Sequence, residues 1–532
     1  MRLTRVKVIR SGTSGGLLDG LDVRIARPTN ANEHLEPLCL LGPNGSGKSQ
    51  FLQLLAEIFQ AAWHAHSPGE ERSSANEEAE FELEYTVKPL VSAQPVNVRL
   101  SRRSKGRRIG PIILETEAAD GWKTIAPSKL AFARHLPSLI IGYTSGDNET
   151  LSLPFLFSRS NYASAVAEAA RYDTPSPSDN RMLLIDYGTN LEVLFANLVL
   201  NSAKARQGIL DHARLSDIAS CRCVVRLAHP AAPKAPTRIS QRTGRKGIQL
   251  TDELESILDR LKRSATCWNE DAKTETYTFD FFVNDATRDA FGHFFDTALD
   301  LYRALHKFAL LNDLAIPRVA RQRMEKAVKE RRFAARLPEP QQEDLVFGFE
   351  EVRFHTKTKA RESVVDYASL SDGEHQQASV LGLFSMIRNH NALFVLDEPE
   401  SHFNPEWRIK FAKRLLDLPG ARGEQEVLLT SHAPFVPADL PREQILIFSR
   451  NGDKVTVSSP GIETYGANFD RILEFCFAIQ PPIAQMARDE INELLKSNDI
   501  EELERALPRL GASVEKSFVA DHLRQLRKGQ TR

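Results

Sequence analysis

The chain has 532 residues, and its 69 basic side chains stand against 70 acidic ones for a formal net charge of −1. That length supplies core for roughly two to four domains, and the even charge excludes a globally basic nucleic-acid binder while leaving local patches open. It has no apolar run long enough for a transmembrane helix, and its scattered cysteines (Cys39, Cys221, Cys223, Cys267, Cys476) form neither a disulfide framework nor a zinc pattern, so reduced thiols in a cytoplasm are expected.

In chain order, Met1-Arg2-Leu3-Thr4-Arg5-Val6-Lys7-Val8 alternates in polarity and predicts a strand over 3–10 rather than a signal peptide, with a second strand over 21–27. A short apolar strand, Leu38-Cys39-Leu40-Leu41, then enters Gly42-Pro43-Asn44-Gly45-Ser46-Gly47-Lys48-Ser49, which satisfies G-x-x-x-x-G-K-[ST] at every defined position. That pattern suits the cradling of a nucleoside triphosphate. Glycines let the backbone wrap close, so that N–H groups along Gly42, Asn44, Gly45, Ser46 and Gly47 can converge on phosphate oxygens. Lys48 would reach the β- and γ-phosphates, and the Ser49 hydroxyl would ligate Mg²⁺. A helix must start here to aim its N-terminus at the anion, and Phe51, Leu52, Leu54, Leu55, Ile58 and Phe59 recur at helical spacing over 48–66.

After a polar loop at 67–78, alternation predicts half-exposed antiparallel strands over 80–87 and 96–102. Arg102, Arg103, Lys105, Arg107 and Arg108 form a basic cluster on a hairpin turn. Residues 150–345 show no sustained heptads, which excludes a long coiled coil. Separate helices are expected instead, the clearest over 286–312 with Phe291, Phe294, Phe295, Leu299, Tyr302, Leu305 and Phe308 on one face, beside a strand pair near 221–228 and 275–283. The segment 317–336 holds eight basic residues against two acidic ones, either a solvated helix face or a salt-sensitive contact to a DNA backbone.

Leu370-Ser371-Asp372-Gly373-Glu374 opens an amphipathic helix over 375–388. There the Ser371 hydroxyl, the Gly373 N–H and the helix dipole would form a second anion site, the plain alternative being an N-cap. Ala392-Leu393-Phe394-Val395-Leu396 reads as a buried parallel strand ending in Asp397-Glu398-Pro399, at the end where open α/β sheets bind ligands. Asp397 would hold Mg²⁺ through water, and Glu398 would orient or deprotonate an attacking water. A further strand, Glu426-Val427-Leu428-Leu429, ends in Thr430-Ser431-His432, and the tail from about 465 reads as helical, with helices near 482–496, 498–506 and 512–527.

These four motifs, in this order and these local contexts, resemble the ABC ATPase superfamily in its soluble branch. The resemblance implies an α/β fold: a P-loop NTPase head whose mixed sheet has antiparallel N-terminal strands, with a mostly helical insert and a helical tail. The corresponding segments are 1–150 and 346–460 for the two lobes of the head, 151–345 for the insert and 461–532 for the tail. It implies ATP hydrolysis with Mg²⁺, in which Lys48 and Glu398 act on the reaction and His432 senses the γ-phosphate. Ser371 and Gly373 would contact the γ-phosphate held by another subunit, so a head-to-tail homodimer or higher oligomer is expected. Asn404 stands where many members of the superfamily carry a D-loop aspartate. The Q-loop would fall within 140–149, with Asn148 or Glu149 in the place of its glutamine.

The stretch Asp397-Glu398-Pro399-Glu400-Ser401-His402-Phe403-Asn404-Pro405 narrows the resemblance. A D-E-P-E start is similar to the AAA-labelled ATPases of bacterial anti-phage defence. With the compact insert and helical tail, the pattern most resembles the restriction-system-associated Septu (PtuA-like) ATPases. That family implies a companion HNH nuclease, and this sequence carries no H-N-H, TOPRIM, HExxH or Ser-His-Asp arrangement of its own. Two alternatives stay open: a DNA-repair ATPase of the RecF/SMC kind, and a nucleotide-dependent scaffold that holds a toxin partner inactive. A transporter subunit is disfavoured by the large insert.

Overall fold

A strand covered on both faces must be apolar throughout. Leu38–Leu41, Leu393–Asp397 and Glu426–Thr430 are buried at every position and lie in parallel register at the centre of a seven-stranded sheet. Across that sheet the order is Met182–Ile185, Ile140–Thr144, Leu393–Asp397, Glu426–Thr430, Leu38–Leu41, Ile445–Asn451 and Lys454–Ser458, parallel except for the last pair. The strand that feeds the phosphate loop thus neighbours the strand leading to His432, with the Asp397 strand one place further. All three C-terminal ends open on the same edge.

A second sheet has six antiparallel strands in the order Asp22–Arg24, Arg2–Arg10, Glu80–Val87, Val96–Arg102, Ile113–Ala118 and Gly121–Ile125. Along Glu80–Val87 burial alternates residue by residue, the period of a sheet with one covered face. Helix Lys48–His66 is buried continuously from Phe51 to Trp63. It shares one apolar cluster with Val6, Phe81, Leu83 and Tyr85 of the second sheet and Leu38, Leu393 and Leu428 of the first. So central a helix must satisfy its polar groups internally. Gln53 Nε2 donates to Glu57 Oε1 and Asn76 Nδ2 to Glu57 Oε2, both at 3.0 Å.

The computed structural model describes the chain apart from residues 13, 27–34, 72, 90–93, 107, 147–148, 160–161, 229–244, 246, 318, 321–322, 324–325, 327–340, 358–362, 419–423, 481 and 531–532. Most of the basic segment 317–336 therefore lies outside the described residues, as do Arg107, Asn148 and the Glu149 side chain. Among the described residues no helix is long and apolar enough to cross a membrane.

The architecture is α/β, and the helices expected in the insert are accompanied by more sheet than the strand pair near 221–228 and 275–283. These helices are organised on a five-stranded antiparallel sheet in the order Cys267–Asp271, Thr276–Phe282, Leu215–Arg226, Phe347–Thr356 and Val364–Asp366. Strand Phe347–Thr356, assigned by sequence to the segment 346–460, pairs along its length with Leu215–Arg226. The expected strand pair is present as Leu215–Arg226 against Thr276–Phe282, whereas Phe347–Thr356, an antiparallel partner more than a hundred residues away, leaves no local signature. The helix expected over 286–312 is two, Asp285–Phe294 and Ala298–Ala309. The break has a cause: Phe295 is extended, and the Thr297 side chain caps the second helix by accepting from Asp300 N. Phe291 and Phe295 face inward, whereas Phe294 lies under the Arg263 guanidinium at 4.6 Å.

The basic cluster at 102–108 also divides. Arg102 is only 6% exposed and sits over the Phe81 ring, while Arg103 pairs with Glu82. Lys105 and Arg108 lie opposite each other on a two-stranded ribbon.

The chain divides into two compact units, Met1–Gly466 and Ala467–Arg532. The second is helical, as expected: Phe469–Phe477, Gln485–Leu494, Ile500–Ala506 and Val514–Gln530. Ile491, Leu494, Leu503, Ala506, Val519 and Leu523 form its own small core.

Candidate functional site

The phosphate loop is shaped by its glycines. Gly42 has φ +139°, and a Cβ there would lie 2.2 Å from the Phe448 carbonyl oxygen, so any side chain would displace the neighbouring strand. Gly47, at φ +96°, is the left-handed N-cap from which helix Lys48–His66 starts, and among the described residues no side chain caps that helix end. Its first amides are therefore left for another acceptor. Pro43, Asn44 and Gly45 form the exposed crest of the loop. Ser46 is buried, and its Oγ has no hydrogen-bond partner among the described residues.

Lys48 is folded into this loop. Its Nζ donates to the carbonyls of Gly42 at 2.9 Å and Pro43 at 3.1 Å. Burial pulls the Lys48 ammonium below the usual lysine range, opposed by the charges of Asp397 and Glu398. An ammonium held this way gains from an arriving anion more than an exposed one does.

Ser49 and Asp397, 348 residues apart in sequence, meet directly: Ser49 Oγ donates to Asp397 Oδ2 at 2.9 Å and Oδ1 at 3.1 Å. Burial pushes the Asp397 carboxyl up, while hydrogen bonds from Thr430 and Ser49 act the other way. Thr430 Oγ1 donates to Asp397 Oδ1 at 2.6 Å and accepts from Glu398 N at 2.9 Å. One hydroxyl thus fixes both acids at the strand end.

Glu398 has φ +48°, a left-handed conformation that a β-bearing residue adopts only when its surroundings enforce it. The turn brings its carboxylate to His432, with Nε2 3.0 Å from Oε1. His432 holds the Glu398 carboxyl below the usual glutamate range, outweighing desolvation. Ser431, between Thr430 and His432, donates to Oε1 of the fully buried Glu400. Three consecutive residues of one strand end therefore each bond one carboxylate of the neighbouring turn.

The structure brings together Lys48, Ser49, Asp397, Glu398 and His432. It does not bring Ser371 and Gly373 to them. Ser371 is exposed, and its side chain and N–H form a reciprocal capping box with Glu374. Gly373 is buried against the turn after Asp397, where a Cβ would lie 2.7 Å from the His402 carbonyl oxygen. Asn404 caps helix Pro405–Leu416, its Oδ1 accepting from Trp407 N at 2.9 Å.

Three neighbours of the site carried no sequence-based expectation. Thr430 is the shared partner of Asp397 and Glu398. Arg450, at the end of strand Ile445–Asn451, lies over the loop crest with Nη1 3.4 Å from the Gly45 carbonyl oxygen. Gln376 reaches from the helix of Ser371 to the turn after Asp397. Thr430 had a visible signal, since it stands at the end of a buried strand next to His432. Arg450 and Gln376 had none, because their positions depend on strand order and helix packing.

The donor set suits a Mg²⁺-bound nucleoside triphosphate. A hydroxyl and a carboxylate converge where a hard divalent cation takes oxygen ligands. A buried ammonium and a free helix N-terminus face the same loop. The Ser46 hydroxyl is one more polar group without a partner among the described residues.

No family model matches the chain. Protein ea59 of Escherichia phage lambda is 29% identical over 89 residues, and that stretch is 17% of this chain and 17% of that protein. The chain thus matches about a sixth of that relative's length. Among solved structures, the SMC head bound to the C-winged helix domain of ScpA is similar at 13% identity and TM-score 0.34, covering 86% of this chain and 97% of that one. The SMC head domain from Thermotoga maritima gives 10% identity, TM-score 0.33 and coverages of 87% and 100%. At those scores the likeness carries no argument about this chain.

Proposed function

We propose that the chain binds and hydrolyses ATP at the edge formed by residues 42–49, Asp397–Glu398 and His432. The observation that supports this most is the meeting of Ser49 with Asp397 beside a buried Lys48. A phosphate-loop pattern by itself is a sequence coincidence of modest rarity; a carboxylate placed against its serine from the far half of the chain is not local chance. In this reading the loop amides and Lys48 bind the β- and γ-phosphates. Ser49 and Asp397 would hold Mg²⁺, which would neutralise negative charge on the phosphates during transfer. Glu398 orients the attacking water and takes its proton, with His432 fixing the carboxylate. The Glu398 carboxyl, lowered by His432, stays ionised and ready to accept a proton at neutral pH.

The exposed Ser371 and the helix it opens serve a second copy of the chain in this proposal, so that ATP holds two heads together head-to-tail and hydrolysis releases them. The D-E-P-E stretch supports a role as the ATPase that gates a partner nuclease in anti-phage defence, in the manner of the Septu family. A DNA-repair ATPase of the RecF/SMC kind is the second reading, favoured by the Lys105–Arg108 ribbon. The experiment is to purify the Glu398→Gln chain from its native locus in ATP and Mg²⁺ and identify by mass what accompanies it. A stoichiometric small HNH protein supports the defence reading. Homodimer alone, or DNA with recombination proteins, overturns it in favour of repair.

A further inference from the structure

Glu398 holds a conformation that its own backbone does not favour, so neighbouring groups must keep it there. Thr430 secures its N–H. On the carbonyl side the turn is secured from a different element, the helix Asp372–Met386. Gln376 is 4% exposed in that helix, and its side-chain oxygen accepts from His402 N at 3.0 Å. Its side-chain nitrogen donates to Ser401 Oγ at 3.3 Å and reaches the Glu398 carbonyl at 3.5 Å. One turn earlier, Gly373 lets the same helix press on the His402 carbonyl, where a Cβ would lie 2.7 Å away. The first turns of this helix and the turn 398–402 are therefore keyed together by one glycine and one glutamine.

The other end of that joint is open. Ser371 begins the helix and is exposed, and among the described residues its side chain is engaged within its own turn. We infer that Gln376 is a positioning residue for hydrolysis: it ties the exposed start of this helix to the Glu398 carboxylate of the same chain, so that the helix's position sets turnover. This rests on the hydrolytic reading above. Gln376 touches neither phosphate nor water in it; it acts by holding the turn from which Glu398 projects. A buried amide that donates and accepts at three points of one turn leaves several groups unsatisfied when removed. A catalytic group displaced by about 1 Å loses on the order of a hundredfold in rate.

The neighbour Gln377 supplies the control. It is buried at 1% exposure in the same helix, and neither atom of its amide has a partner among the described residues. Its replacement perturbs packing without touching the joint. The full chain is assayed as wild type, Gln376→Met, Gln376→Glu and Gln377→Met, reading phosphate release (kcat and KM), affinity for a fluorescent ATP analogue, and Tm. The expected result is a kcat at least tenfold lower for Gln376→Met with nucleotide affinity within twofold of wild type. Gln376→Glu keeps the acceptor for His402 N and should recover part of that loss. Gln377→Met should keep wild-type kcat whatever its Tm. A Gln376→Met chain with wild-type kcat overturns this inference alone. So does a kcat that falls in step with Tm equally in both methionine variants. A wild-type chain that binds the analogue and releases no phosphate overturns the hydrolytic reading and this inference with it.

Discussion

The two halves of the site are built by opposite means. The phosphate loop owes its shape to backbone freedom: Gly42 and Gly47 take φ values that other residues avoid, and a Cβ at Gly42 has no space. The acidic turn has no glycine. Glu398 takes a left-handed φ as a glutamate, and the turn is kept by side chains from elsewhere: Thr430, Ser431 and His432 on the next strand, Gln376 on a helix. The loop is specified by what it lacks, the turn by what surrounds it. Substitutions in the loop should therefore act through sterics and nucleotide affinity, and substitutions around the turn through geometry and protonation.

The largest effect is expected at the loop. Gly42→Ala drives a methyl into the Phe448 carbonyl in an unfavourable φ and should cost about 4 kcal/mol of stability, read as a lowered urea midpoint. A wild-type midpoint would contradict the steric account of the loop. Lys48→Ala should leave folding nearly unchanged while weakening ATP about a hundredfold, the loss of one charged hydrogen-bonding group worth about 3 kcal/mol. Titration calorimetry reads this, and an affinity within twofold of wild type would remove Lys48 from the phosphate site.

The turn makes a prediction that the loop does not, a dependence of stability on pH. Burial pushes the Glu400 carboxyl up to about 7, against an ordinary value of 4.5. The folded chain then binds a proton that the unfolded chain has released, so this group's contribution is greatest below the ordinary value and falls as pH rises toward 7. Glu400→Gln keeps an acceptor for Ser431 and abolishes the titration. The wild type should lose on the order of 2–3 kcal/mol more than Glu400→Gln between pH 4.5 and pH 8. Parallel pH profiles for the two would contradict the buried, protonated Glu400. Smaller again, Thr430→Val removes the donor to Asp397 and the acceptor for Glu398 N and should cost about 2 kcal/mol. If turnover survives in that variant at the wild-type rate, the turn does not depend on its neighbouring strand.

The same contrast explains what could be read from the sequence. The loop, its strand and its helix are contiguous, so an octapeptide and a helical spacing placed Gly42 to Ser49 without any fold. The strand ending at Asp397 was legible because a doubly covered strand must be apolar. Of the insert sheet only the pair Leu215–Arg226 and Thr276–Phe282 was legible, since Leu215–Arg226 takes its other partner, Phe347–Thr356, across the intervening helices. Gln376 went unread for a related reason. On its helix it is one polar residue among several, and only packing against the turn 398–402 distinguishes it from Gln377.

The central claim is that this edge hydrolyses ATP with Glu398 acting on water, and one measurement addresses it directly: phosphate release with Mg²⁺ by wild type and by Glu398→Gln, alongside binding of ATP to each. The account predicts that both bind ATP with similar affinity, that wild type turns over, and that Glu398→Gln is slower by about 10²–10⁴-fold. Equal phosphate release by the two chains would contradict it.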